Sequence, residues 1–263
     1  MSIKEGIIDV IRRFQRLLDP ASYEVPEHKP EMLLIGCVDA RLNPAKDLGI
    51  PQGKAIIHRS IGALVGGLDE KGKPKIISEA ASVQFAVEKL HVKHIAVMGH
   101  THCGGMQGCL HCCDPMHEHE VPAFVKEYLK PLEVVGEAVF SDTTYRINPS
   151  DSEDEQNAKI EMRGRVMEKI AVEESVINLM SYPFVRDRVL DGSLQVHGWI
   201  VDTATHRLSE MPQESVKAIA QHAKNMAEGK VEPLDKDLDR HVPSFVPMDG
   251  KPLEPPAAGL RRA

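Results

Sequence analysis

The stretch GCVDAR, Gly36 to Arg41, closes a short apolar run, Met32 to Ile35, that follows Pro30. A brief aliphatic run behind a proline reads as a buried strand, so Cys37 stands where that strand ends. In open parallel sheets ligands bind outside the carboxyl ends of the strands, and here such an end carries a thiol, a carboxylate and a guanidinium. If the extended geometry continues, the two-residue period turns Cys37, Asp39 and Arg41 to one side. About sixty residues later a second apolar run, His94 to Met98, closes in the same manner on GHTHCGG, with His100 and Cys103 three residues apart. Two strand ends therefore present Cys, His and Cys.

Thiolate, imidazole and thiolate suit zinc, and three protein ligands leave one coordination position open, which is the mark of a catalytic site. Taken singly, a strand-end cysteine is more often a small buried hydrophobe and a lone histidine more often structural. Three further features favour a metal. There are two strand-end clusters; Gly36, Gly99, Gly104 and Gly105 admit close backbone approach; and Asp39 and Arg41 stand beside the first thiol. The reading is one zinc per chain on Cys37, His100 and Cys103.

Working outward, Ala55 to His58 reads as another strand, Ile77 to Leu90 as an alanine-rich buried helix, and Leu194 to Val201 as a late strand. Strand, helix, strand is a right-handed crossover unit, so the fold class is α/β with a mainly parallel central sheet flanked by helices. At the amino end Ile3, Ile7, Val10, Ile11, Phe14, Leu17 and Leu18 recur at helical spacing and give an amphipathic helix over Ser2 to Leu18. Asp69 to Pro74 is a turn, Pro122 to Leu129 a short helix, and a polar region then runs to Glu155. From there a long helical pattern reaches Met180, with acids at its start. Residues 1–210 form one catalytic domain with its amino-terminal arm. Residues 211–263 form an extension, partly extended or disordered, whose proline-rich end is either a free tail or a contact for a partner.

From Cys109 the stretch CLHCCDPMHEHE packs three cysteines and three histidines into twelve residues. Two readings stand, a loop without a specific metal and a second metal site over Cys109 to His119. The whole chain, 263 residues with 42% hydrophobic and 27% charged residues, is of ordinary globular composition. A net charge of −7 without a basic run excludes a general nucleic-acid surface and favours a small-molecule substrate. No segment has the length of a membrane span or the pattern of a signal peptide. An odd count of five cysteines, set in metal-like motifs, fits a reducing compartment, and a cytoplasmic protein is the expectation.

At its two cysteine motifs the chain resembles the β-class carbonic anhydrases. Their C-x-D-S-R followed by proline stands here as CVDARLNP, and their H-S-x-C-G-G as HTHCGG. SEAASVQFAVEKLHVKHIAVMGH is similar to the helix and strand before their second motif, and VINLMSYPFVRDRVLDGSLQVHGWIVDTATHRL to their closing segment, so the likeness spans roughly Pro30 to Leu208. It implies reversible hydration of carbon dioxide by attack of zinc-bound hydroxide. It also implies a homo-oligomer, dimer or dimer of dimers, in which the amino-terminal helix embraces a partner. Asp39 then orients the nucleophile and Arg41 holds Asp39 ionised. The family's glutamine nine positions before the first cysteine, a substrate contact, is His28 here. Its R-N-A-G is Arg59, Ser60, Ile61, Gly62, which leaves Gly62 and, in the second motif, Gly104 as further substrate contacts. Its tyrosine after the tryptophan is missing beside Trp199. Two alternatives stay open: hydrolysis of carbonyl sulfide or carbon disulfide on the same scaffold, and a non-catalytic zinc-containing scaffold or sensor.

Overall fold

The computed structural model describes residues 12, 26–114, 120–231 and 243–249. β1 (Met32–Cys37) is followed by a one-turn helix, α1 (Pro44–Asp47), which starts on a proline and is capped by the Asn43 side chain accepting from the Lys46 N–H. β2 (Ala55–Ser60) leads through a 3₁₀ turn, Ile61–Ala63, toward α2 (Ile77–Gln84). A π-helical turn, Phe85–Lys89, prolongs α2 before β3 (His94–His100). Then come α3 (Gly104–Cys112), α4 (Ala123–Leu129) and α5 (Glu133–Ser141). The long α6 (Glu153–Met180) begins on a capping box in which Ser152 and Glu155 satisfy each other's backbone N–H, with three acids in its first turn. α7 (Pro183–Leu190), β4 (Gln195–Val201), β5 (Leu208–Glu210), α8 (Gln213–Ala227) and β6 (Val246–Pro247) complete the described chain.

The strands form one sheet in the order β2-β1-β3-β4-β5-β6. β2, β1, β3 and β4 run parallel, while β5 and β6 are added antiparallel at one edge. Alternation along the strands sends Leu33, Ile35, Ile95 and Val97 into a core with Val83 and Val87 beside α2, Val185 of α7 and Val216 of α8. Leu34, Ala96 and Met98 enter a second core with Met106 of α3, Leu129 of α4, Val135 of α5 and Met167 of α6. α6 serves both, and it lies so close to the sheet that a Cβ on Gly99 would stand 2.5 Å from Val172 Cγ2.

Several expectations change. The polar region before Glu155 contains α5, and the segment after Met180 contains α7; both are short helices whose formation depends on packing against α3, α6 and α8. Beyond residue 210, α8 buries Val216 and Ala220 in the first core, and Phe245 joins it from the segment just before β6. The first residues of the Cys/His-rich stretch are helical, α3 reaching Cys112. The amino-terminal helix over Ser2 to Leu18, Arg12 apart, and the tail from residue 250 lie outside the described residues, as do His117 and His119.

Candidate metal centre and active site

β1 and β3 are parallel neighbours, so their carboxyl ends bring Cys37 and His100 together, and the tight turn after β3 returns Cys103 to the same place. The two sulfurs are 4.0 Å apart, and all three ligand atoms lie within 4.8 Å of one another, each residue buried. Two zinc–sulfur bonds of about 2.3 Å at a tetrahedral angle put the sulfurs about 3.8 Å apart, so the spacing fits the ion. The His100 Nδ1–H donates to the Thr101 carbonyl at 2.9 Å, which leaves the lone pair on Nε2 facing the sulfurs. That Nε2 is buried without a partner. A bare acceptor in this position is costly unless something electrophilic occupies the site.

The sulfurs' ionisation is linked. Cys37 is drawn well below the ordinary thiol value, first because Cys103 hydrogen-bonds to it and further because His100 stands beside it, against the opposing effect of burial. Cys103 is pushed up for the converse reason, as the donor to Cys37 in a buried place. The pair holds one thiolate readily, and a cation is needed to take both.

Asp39 and Arg41 form a bidentate pair, Nε to Oδ1 at 2.9 Å and Nη2 to Oδ2 at 2.6 Å, and the Arg41 backbone N–H also donates to Oδ1. The extended geometry expected beyond Cys37 does not persist. The Leu42 N–H donates to the Asp39 carbonyl, closing a turn, and this turn rather than strand alternation aims the carboxylate. Asp39 Oδ2 lies 3.9 Å from His100 Nε2. Arg41, chiefly through its side-chain hydrogen bonds, holds the Asp39 carboxyl far below the usual carboxylate range. Arg41 is itself tied by Nη2 to the His102 carbonyl at 2.9 Å.

Two supporting residues were not foreseen in these roles. Arg59 of β2 donates to the carbonyls of Cys37, Asp39 and Leu42, holding the whole GCVDAR turn from the neighbouring strand. Glu168 of α6, 5% exposed, accepts from the Cys103 N–H at 3.0 Å and from Arg165 at 3.3 Å. Its trace in the sequence was an acid four residues before Val172 on the helix's buried stripe.

The expected substrate contacts are less closely drawn together. Gly62 is buried in the 3₁₀ turn with φ of 67°, and a Cβ there would meet Met106 Cε at 2.5 Å. Ala63 and Leu64 beside it are fully buried. Gly104 has no atom within 4 Å of a Cβ position, so close approach is not what requires it, whereas Gly105 meets Ile61 and Cys103. His28 lies exposed in the segment before β1. The second metal site is not supported. Among the described residues the one group of three or more clustered ligands is Cys37, His100 and Cys103. The Cys109 and Cys113 sulfurs instead donate to backbone carbonyls and pack on Gly136 of α5.

Residues 32–208 match the family described as carbonic anhydrase. A carbonic anhydrase of the cyanobacterium Synechococcus elongatus is 26% identical over 214 residues, covering 80% of this chain and 72% of the relative. The mitochondrial β carbonic anhydrase 6 of Arabidopsis thaliana is 31% identical over 169 residues, 64% of this chain and 52% of that protein, so this chain spans about half of the plant relative's length. A tetrameric β-carbonic anhydrase structure from Sordaria macrospora superposes with a TM-score of 0.56 at 25% identity, covering 79% of this chain and 94% of the other.

Proposed function

The chain belongs to the β-class carbonic anhydrase family, and from that membership we propose that it is a carbonate dehydratase, interconverting carbon dioxide and bicarbonate with one zinc per chain. The observation that carries the reading is the buried, unpartnered His100 Nε2 beside two sulfurs and the Arg41-held Asp39 carboxylate. Cys37, His100 and Cys103 would hold the zinc, which when bound supplies the acidity that makes water a nucleophile near neutral pH. Asp39 accepts a hydrogen from the attacking water and thereby turns an oxygen lone pair toward the substrate carbon. Arg41 keeps that carboxylate ionised and faced to its task, and its bond to the His102 carbonyl limits the dyad's freedom. Carbon dioxide is apolar, and Gly62, Ala63 and Leu64 are proposed as its wall, with Gly104 and His28 as outer contacts for the anion.

A homo-oligomer is part of this proposal, supported by the tetrameric fungal relatives and by exposed apolar side chains such as Ile77, 71% exposed, and Phe124, 93% exposed. Among the described residues no helix is long and apolar enough to cross a membrane. Cys37 and Cys103 stand as ligands beside His100, and Cys109 and Cys113 donate to carbonyls; thiols used in this way support a reducing compartment, and we place the protein in the cytoplasm on that ground.

The test is stopped-flow hydration of carbon dioxide with metal content measured on the same preparation. Fast hydration with about one zinc per chain is expected. Zinc without hydration at any pH would overturn the assignment in favour of carbonyl sulfide or carbon disulfide as substrate, and inertness toward those as well would leave a scaffold or sensor.

A further inference from the structure

A buried carboxylate outside the metal centre touches neither the three ligands nor the Asp39–Arg41 pair. Glu79 of α2 is 1% exposed, and three side chains converge on its two oxygens. Ser78 Oγ donates to Oε2 at 2.6 Å, Tyr128 Oη of α4 donates to Oε1 at 3.3 Å, and His58 Nε2 of β2 stands 3.3 Å from the same Oε1. Burying such a carboxylate is costly even when it is paired, so an apolar side chain would serve packing better.

The cluster has two ends. At the inner end the Tyr128 hydroxyl neighbours Ser60, whose Oγ donates to the Leu64 carbonyl at a long 3.5 Å. Ser60 is the residue paired with Cys37 in the parallel β1–β2 register, so the two side chains leave the sheet on the same face. At the outer end His58 Nδ1 lies 3.0 Å from Ser82 Oγ, whose own hydrogen is given to the Ser78 carbonyl. The ring therefore donates from Nδ1 and turns Nε2 toward Glu79. Its side chain is 16% exposed, and β2 is one of the two edge strands of the sheet.

We propose that Ser60, Tyr128, Glu79 and His58 form the route by which the proton released in hydration leaves the site, an inference that rests on the carbonic anhydrase reading. Hydration joins a water oxygen to the substrate carbon and gives up one proton, with no electrons exchanged. Ser60 takes that proton on Oγ and turns its own hydrogen from the Leu64 carbonyl to Tyr128 Oη. Tyr128 passes its hydrogen to Glu79 Oε1, Glu79 hands one to His58 Nε2, and His58 gives one to buffer. Both hydroxyls end as they began. The titratable groups facing this route are Glu79 from α2, Tyr128 from α4, Cys37 from β1 and Tyr182 from the turn between α6 and α7, with His58 itself on β2.

The experiment compares the zinc-loaded wild type with Tyr128→Phe, Glu79→Gln and His58→Ala in hydration kinetics at low buffer, with zinc per chain measured by native mass spectrometry. Expected is a kcat at least about tenfold lower in each variant, with kcat/KM within about twofold of wild type and zinc content unchanged. Added imidazole should restore kcat in His58→Ala. An unchanged kcat in all three variants would overturn the route, and so would kcat and kcat/KM falling together with loss of zinc, the sign of a structural role. Failure of the parent reading would appear in the wild type, as absence of hydration.

Discussion

Asp39 and Arg41 are both charged throughout the neutral range. Arg41 depresses the folded-state value of Asp39, so the stability this ion pair contributes is present above the unfolded carboxyl value of about 3.9 and is lost only as pH falls through the lower folded value. The dyad therefore supplies no inflection near neutrality. Asp39→Asn should lower the hydration rate by roughly 10²-fold at every pH without moving the inflection, and a moved inflection in a pH–rate profile would contradict this. Cys109 is a different kind of thiol. Burial pushes it up to about 12 and its neighbour Cys113 up to about 11, so at pH 8 only ~10⁻⁴ of Cys109 is thiolate. Iodoacetamide should leave Cys109 unmodified in the native protein and label it after denaturation. Peptide mapping that finds prompt native labelling would place Cys109 in a more open environment. Sequence composition left a second metal site open beside a plain loop for this region because it counts ligand atoms. It is silent on whether they point at each other or, as Cys109 and Cys113 do here, at the carbonyls of Leu132, Cys109 and Glu133.

At the scale of elements, α6 binds the two cores together, and its start is set locally. Ser152→Ala removes one half of the capping box and should cost about 1 kcal/mol, lowering the thermal midpoint by about 2–4 °C. Gly99→Ala acts where α6 meets the sheet. The added methyl would press on Val172, so a loss of about 1–3 kcal/mol in urea unfolding is expected, and a neutral result would mean that α6 can move away from β3. The parallel strands and α6 were legible in the sequence because each carries its own periodicity over enough residues. α5 and α7 were not. EVVGEAVFS has no polar stripe long enough to mark a face, and it is the seating of Gly136 against the Cys109 and Cys113 sulfurs that gives this segment a partner.

Across the whole molecule, the metal site ties the ends of β1 and β3 to the turn that opens α3. Binding there is stabilisation of the fold, because the unfolded chain has no preformed site. Stripping zinc with a chelator should lower the thermal midpoint, and added zinc should restore it. A midpoint indifferent to zinc would mean that Cys37, His100 and Cys103 do not hold the ion. At the opposite edge β6 pairs with β5, Arg207 grips Asp249 through two hydrogen bonds, and Phe245 fills the first core. This makes part of the segment after residue 242 a piece of the domain.

The sequence by itself determined the chemistry of the centre and the parallel frame that presents it. Cysteine, histidine and cysteine at strand ends are local facts, and so is the apolar run that precedes each. Tertiary structure alone decided the rest: that a turn and not strand alternation aims Asp39, that Glu168 holds the Cys103 N–H across 65 residues of chain, and that Tyr128 reaches Glu79 across 49. Contacts of that range leave no periodic mark, since each partner satisfies its own local pattern. Only the packing of helices on the sheet brings the atoms within bonding distance.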